Sequence, residues 1–207
     1  MDIGEFKAEV AKCLGELFGE VEYEEGVYRT VTDEMGLTGN CAVIECIYEN
    51  GLREEAPYPV MHFHVTVTDK IPARVVPYLR TGLDELNNAI TLGAFPALGY
   101  FGFYEPFGQV YLTYRMPYSV DALEEELYNV KYFLGTLYEE LDVFIDFIAF
   151  LVSRPGEMSL KKYMEYLDEV SDSAADEFTE MDVQEVKEEL EDLKKAADSL
   201  RETLNQY

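Results

Sequence analysis

The residues whose types and spacing come nearest to chemistry are His62 and His64, in the run VMHFHVTVT from Val60 to Thr68. Histidines two apart on a strand project both imidazoles from one side, and with a third ligand such a pair can hold a metal ion. They are the only two histidines of the chain, so a carboxylate such as Glu45 or Glu49 has to complete the set, and closed zinc sites ordinarily take four protein ligands. A polar sheet face is the commoner role of such a pair. No metal site and no cofactor are expected.

Other routes to catalysis are thinner. A nucleophilic Ser or Cys needs a base held beside it, and neither a nucleophile elbow nor a Cys/His signature is present. Gly93, Gly99 and Gly102 lead into a strand pattern, where a phosphate loop requires a helix N-terminus. Glu124 to Glu126 read as the negative first turn of a helix. General acids and bases must converge geometrically, and no spacing here brings them together, so the chain is expected not to be an enzyme.

Binding is better signalled, between Leu83 and Tyr118. Glu105-Pro106-Phe107-Gly108 suits a type I turn, with Pro second and Gly fourth. An even loop pairs Phe103 with Val110 and Phe101 with Leu112 on one face, leaving Tyr100, Tyr104, Tyr111, Thr113 and Arg115 on the other. Tyr100, Tyr104 and Tyr111 combine apolar area with a polar tip, which suits a protein interface; in the commoner arrangement the chain's own helices cover such aromatics. The preceding helix starts at Pro77, where a missing N–H costs nothing, and stops at Gly93. Its stripe of Leu79, Leu83, Leu86 and Ile90 faces the sheet or a second subunit. Tyr100, Tyr104, Tyr111, Leu83, Leu86 and Ile90 are therefore the candidate partner-binding residues.

Several elements must position these residues. Ile3, Phe6, Val10, Cys13 and Leu17 form one apolar stripe of a helix ending near Gly19. Val27–Val31 is a weak strand, and Gly39-Asn40 turns into a stronger one, Cys41–Glu49, with Ala42, Ile44, Cys46 and Tyr48 on its core face. In the strand from Val60, Met61, Phe63, Val65 and Val67 oppose His62, His64, Thr66 and Thr68. Ser119 is a suitable N-cap for a third helix, whose three-four rhythm runs from Val120 to Leu151. Such a helix is about 50 Å long at 1.5 Å per residue, and beyond Leu141 it is apolar nearly all round. Something besides a small sheet must cover its far half. Residues 1–153 form the expected α+β domain, and 154–207 an acidic helical extension. The extension carries a short helix over about Leu160–Val170 and a final one over Val183–Leu204, begun by Asp182 and Glu185 in a capping-box pattern. The final helix has about three heptads, which either pair between subunits or, preferably, fold back over the apolar segment from Leu141 to Val152.

The totals exclude whole classes of partner. Asp and Glu outnumber Lys and Arg by 42 to 16, a net charge of −26, which disfavours phosphate backbones and anionic lipid, so no nucleic-acid partner is expected. Mimicry of nucleic acid is the rarer use of such a surface. The apolar window near Val143–Val152 is interrupted by Asp146 and too short to span a bilayer. Asp2 and Glu5 stand where a signal peptide carries positive charge. Cys13, Cys41 and Cys46 lack the spacing of a disulfide framework or a zinc cluster and suit buried thiols in a reducing compartment, so the protein is expected to be cytoplasmic.

One likeness adds to this reading. An LN-containing amphipathic helix, Gly93 and Phe95, an aromatic strand, a glycine turn, the Val-x-Leu-x-Tyr strand Val110–Tyr114, a Pro and Ser119 opening an acidic helix together resemble the YbjN family of bacterial sensory transduction regulators. The likeness spans residues 1 to 152 in element order, and its specific part is Leu83–Leu127. The long Arg53–Pro59 loop, the third helix and the acidic tail depart from it. The resemblance implies a fold similar to type III secretion chaperones, an antiparallel sheet of about five strands in the order α-βββ-α-ββ-α, a homodimer, and a non-enzymatic adaptor, chaperone-like or regulatory role toward a protein partner. A small-molecule- or metal-responsive sensor using the same sheet is the alternative.

Overall fold

A computed structural model describes residues 1–32, 34–50, 58–95 and 97–177, the last seven by their backbone alone. Their elements are helix α1 (Ile3–Phe18), strands β1 (Val21–Glu24), β2 (Val27–Val31), β3 (Val43–Asn50) and β4 (Pro59–Thr68), helix α2 (Val76–Thr91), strands β5 (Phe101–Tyr104) and β6 (Gln109–Pro117), and helices α3 (Leu123–Ser153) and α4 (Leu160–Glu177). The chain divides after Leu160, so the turn at Ser153–Gly156, expected to be the boundary, stays with the first unit. Helix α4 continues to Glu177, seven residues past the end expected near Val170. The heptads from Val183 to Leu204, with Asp182 and Glu185, lie outside the described residues, as does the loop segment Arg53–Pro57.

The fold is α+β, with one antiparallel sheet of six strands in the order β1-β2-β3-β4-β6-β5. The strand beyond the expected five is β1, hidden by its glutamates: Val21-Glu22-Tyr23-Glu24 offers only two apolar residues. It pairs back on β2 through Glu25-Gly26, both with positive φ (51° and 89°), the backbone that two-residue hairpins favour. The β5–β6 hairpin has the expected register, Phe101 opposite Leu112 and Phe103 opposite Val110, closed by a 3-10 turn and Gly108. At Gly108 the φ of 58° and the Ile71 nitrogen, 2.8 Å from where a Cβ would lie, both require glycine.

Burial alternates along the strands. Ile44, Cys46, Met61, Phe63, Val65, Val110 and Leu112 are fully buried beneath the helices, and their neighbours in sequence point the other way and stay partly exposed. Helices α1 and α3 pack side by side, α2 packs on α3 and β5, and α3 crosses β4. At the free edge of β5 the Asn87 side chain of α2 acts as a substitute strand: it accepts from the Phe101 N–H (3.0 Å) and donates to the Phe101 carbonyl (2.9 Å). That pairing blunts an edge otherwise open to unwanted strand addition.

Helix α3 begins three residues later than Ser119 predicts, with Ala122 at its cap. Ser119 instead shapes the turn before it, its carbonyl accepting from Ala122 and its hydroxyl from the Asp121 N–H. Its 31 residues make a rod of about 46 Å. The far half is covered from within the first unit. Phe95 packs edge-on against Phe144 with ring centroids 5.0 Å apart, and α2 fits Leu151 against Gly82, where any Cβ would lie 2.5 Å from the leucine. The third cover is the loop from Glu34 to Asn40, closed on itself by paired Met35–Asn40 backbone hydrogen bonds of 2.8 Å. Asp146, which the sequence marks only as an interruption, is 0% exposed and holds that loop down. Its carboxylate accepts from the Leu37 N–H (2.5 Å), the Thr38 N–H (3.3 Å) and hydroxyl (2.5 Å), and the Asn40 amide (2.7 Å), while Asp142 takes the Gly36 N–H at 2.8 Å.

Removing an acceptor of this kind leaves several part-buried donors without a partner at once. Asp146→Ala is expected to lower unfolding free energy by about 4 kcal/mol in urea titration, and Asp142→Ala, which releases one exposed donor, by about 1 kcal/mol. Equal losses in the two variants would mean that Asp146 is not the anchor.

Candidate functional site

The sheet face turned away from the helices gathers the chemistry that the sequence scatters. Strand register places Arg29 beside Glu45 and Glu45 beside His64; Ile47 lies beside His62, and His62 beside Arg115. Arg29 donates through Nε (3.0 Å) and Nη2 (2.7 Å) to Glu45 Oε1. Glu49 Oε1 takes the Arg115 Nε hydrogen at 3.1 Å and faces His62 Nδ1 at 3.4 Å. On its other side the ring meets the Thr113 hydroxyl, which lies 2.7 Å from Nε2 and also donates to the Phe63 carbonyl at 3.4 Å. Burial, helped by the Arg115 charge, lowers the His62 pKa, so the ring is neutral near pH 7.

The two histidines do share one side of β4, but the structure gives them different partners. His64 lies nearly parallel to the Tyr111 ring, centroids 5.6 Å apart, with Gln109 bridging toward Thr66 at 2.6 Å. Glu49 reaches His62 Nδ1, and Thr113 occupies the other ring nitrogen, Nε2. Among the described residues no group of three His, Cys, Asp or Glu side chains is arranged to hold a metal ion.

The candidate partner-binding residues separate into two groups. Tyr100 and Tyr104 are 57% and 46% exposed, and Tyr111 lies half-buried between His64 and Gly102. Leu83, Leu86 and Ile90 are a correction: all three are buried, packed with Leu79 in the chain's own interior, and offer no surface to a partner. The alternative left open by the amphipathic stripe is thus settled by the sheet and α3, which leave it no free side. Another correction concerns the thiols. Cys13 and Cys46 are buried, and burial pushes Cys46 up to about 12, but Cys41 is exposed.

Sequence reasoning missed the charge pairing of this face. Glu45 and Glu49 stood out as possible ligands; their cationic partners come from β2 and β6, and only the full strand order shows that both flank β3 and β4. The result is a local charge balance at the centre of the face, on a chain of net charge −26, with Glu22 and Glu24 of β1 adding negative charge at its edge. Between the pairs lie Val43, Ile47 and the Tyr111 ring, partly exposed, with Val31 and Tyr104 more open at the margins. Chemically, the face can bind by apolar contact and hydrogen bonds. No family model, curated protein or solved structure matches the chain.

The most perturbed carboxyl lies elsewhere, under the connection from α2 to β5. Glu140 of α3 is 2% exposed; Oε2 accepts from the Leu98 N–H at 3.0 Å, and Oε1 has no hydrogen-bond partner. Burial raises its pKa from 4.5 to about 7. A carboxyl whose folded pKa is raised binds its proton more tightly in the folded state. Its contribution is therefore complete below about pH 4.5 and is lost as pH rises to about 7, by roughly 3 kcal/mol in all. Glu140→Gln is expected to remove that slope, so that the variant gains on the parent between pH 4.5 and 7 in urea titrations. Parallel pH profiles would show that Glu140 is not the group responsible.

Proposed function

We propose that this chain is a non-enzymatic, cytoplasmic protein-binding domain of an adaptor or chaperone-like kind, and that its partner, or a second copy of the chain, docks on the open sheet face. The observation that carries the reading is the paired charge at the centre of that face. Elsewhere the surplus of 26 negative charges repels most protein surfaces, including a copy of itself. At the centre of the open face Glu45 and Glu49 are already paired with Arg29 and Arg115, so a partner seated there covers β-branched and tyrosine side chains; the uncompensated charge of this face, Glu22 and Glu24, lies at its β1 edge.

The physical requirements of an interface fit these residues. Interface centres favour aromatic side chains and disfavour unpaired charge, and tyrosine supplies contact area at low conformational cost. The exposed Arg29–Glu45 pair is worth little to folding, which suits a role in orienting a partner better than one in stability. The resemblance to the YbjN family supports the same class of function, with dimerisation as part of it.

A charge placed at the centre of the face tests this. Ile47 is partly exposed on a strand, so Ile47→Asp is expected to fold with near-parental circular dichroism while weakening association at least tenfold, read as oligomeric mass by sedimentation velocity and as partner capture by cross-linking. Tyr104→Glu, at the margin, is expected to act in the same direction with a smaller effect. Folded variants that associate like the parent would overturn the reading.

A further inference from the structure

A second recess lies at the end of the sheet nearest β1. The last turn of α1, the start of β1, the end of β2 and Tyr138 of α3 enclose a groove of about 510 Å³. Two threonines of this region point to the helix side and are almost fully buried, Thr30 at 1% and Thr32 at 2% exposure. Thr32 is satisfied, since its Oγ1 accepts from the Ala42 N–H (2.8 Å) and donates to the Ala42 carbonyl (3.4 Å). The hydroxyl of Thr30, which lines the groove, has no partner. A buried hydroxyl left unpaired costs about 1–3 kcal/mol, and valine would fit the same strand position without that cost.

The Thr30 hydroxyl itself is buried at the groove's floor, beside the backbone of position 19. Position 19 is glycine at φ 109°, and a Cβ there would lie 4.0 Å from Thr30 Oγ1 and 3.4 Å from the Val31 carbonyl oxygen. A side chain would begin to fill that space. The remaining wall is aromatic and anionic. Phe18 and Tyr138 line it with ring centroids 5.8 Å apart, and Glu20 and Glu22 stand at the rim. Arg29 also lines the groove, with its guanidinium engaged by Glu45 on the open face.

We propose that this groove binds a primary alkylammonium group, the side chain of a lysine presented by a protein partner. Such a side chain has an apolar stem and a head with three donors. The aromatic pair takes the stem and attracts the cation, the Thr30 hydroxyl and Val31 carbonyl supply neutral acceptors, and the glutamates supply the charge. A guanidinium is a poorer match, because its planar fork needs paired acceptors in one plane and the groove offers single ones. This inference deepens the protein-binding reading by naming a chemical feature of the partner, and it uses a surface separate from Ile47.

The test is a titration of the full-length, isotopically labelled chain with acetyl-Gly-Lys-Gly-amide at physiological salt, followed by amide chemical shifts. Saturable shifts confined to Phe18–Glu22 and Thr30–Thr32 are expected, and none from the norleucine analogue, which has the stem without the charge. Thr30→Val should leave folding intact and weaken lysine-peptide binding about tenfold, the loss of a hydrogen bond to a charged group. A Glu20→Gln/Glu22→Gln variant should weaken it comparably. Glu124→Gln/Glu125→Gln removes two charges at the opposite end of α1, where Glu124 faces the chain's amino terminus, and should bind like the parent. Equal weakening by that control, or parental binding by Thr30→Val, would reduce the effect to general attraction by an acidic chain and overturn the proposal. If the lysine peptide fails to bind while Ile47→Asp still abolishes association, the groove inference falls and the sheet-face reading stands. Peptide binding in the groove with association untouched by Ile47→Asp supports the groove and removes the sheet-face reading.

Discussion

A single buried carboxylate governs how this fold closes. Asp146 sits in the most apolar stretch of α3, a costly place for a charge, and the cost is offset by four hydrogen bonds from one short loop. The loop is thereby fixed over the helix, with Met35 buried beneath it. Gly36 belongs to the same arrangement: its φ is 69°, and a Cβ there would stand 2.7 Å from the Asp146 carboxyl. Aspartate and glycine are each poor choices for where they lie and are consistent only together. Because they cap the far half of the helix, α3 can be longer than the sheet it covers.

That closure explains the one-sided character of the sheet. All three helices of the first unit are used on one face, and α2 is drawn to the same side by Gly82 under Leu151 and by Asn87 on the β5 edge. The other face then has to be tolerable to water. It manages this with ion pairs and hydroxyls rather than by uniform polarity: Glu45 and Glu49 are matched by Arg29 and Arg115, and His62 stays neutral between Glu49 and Thr113. A face solvated by paired charges keeps apolar side chains between the pairs. What protects the monomer is also what equips the surface for a partner.

How much of this is legible from the residues depends on the range over which each feature is decided. Side-chain alternation placed both faces of β3 and β4, and turn chemistry set the β5–β6 register, because those choices are made within a few residues. Pro77 likewise fixed the start of α2 to within one position. The start of α3 failed for a related reason: Ser119 does make local hydrogen bonds, but to a turn, which uses the same chemistry as a helix cap. Strand β1 failed because edge strands carry charge to resist aggregation, which erases the apolar alternation that would reveal them. Asp146 was visible and misjudged. Its partners lie more than a hundred residues earlier, in a glycine-rich loop whose pattern is simply that of a turn. In the candidate site, the tyrosines and histidines were legible as members of one face, whereas the pairing of its central glutamates with arginines depends on strand order, and strand order is not written in any single strand.

The treatment of buried polar atoms adds a last consideration. Around Asp146 this fold satisfies a carboxylate with four donors, so it is capable of completing a hydrogen-bond set where stability requires one. Three buried side-chain polar atoms are nonetheless left unpaired among the described residues: Thr30 Oγ1, Tyr48 OH and Glu140 Oε1. Two of them have a packing rationale. Tyr48 is enclosed by the rings of Tyr28 and Tyr118 with the Lys7 ammonium over its face, and its ring makes the contact for which tyrosine or phenylalanine would serve; Glu140 still spends one oxygen on Leu98. Thr30 has neither reason. Its hydroxyl ties down no backbone group, and the residue lines a groove. A hydroxyl that does nothing for the chain's own packing, placed where a side chain at position 19 would have crowded it, is better understood as an acceptor for something that arrives than as an imperfection of the core.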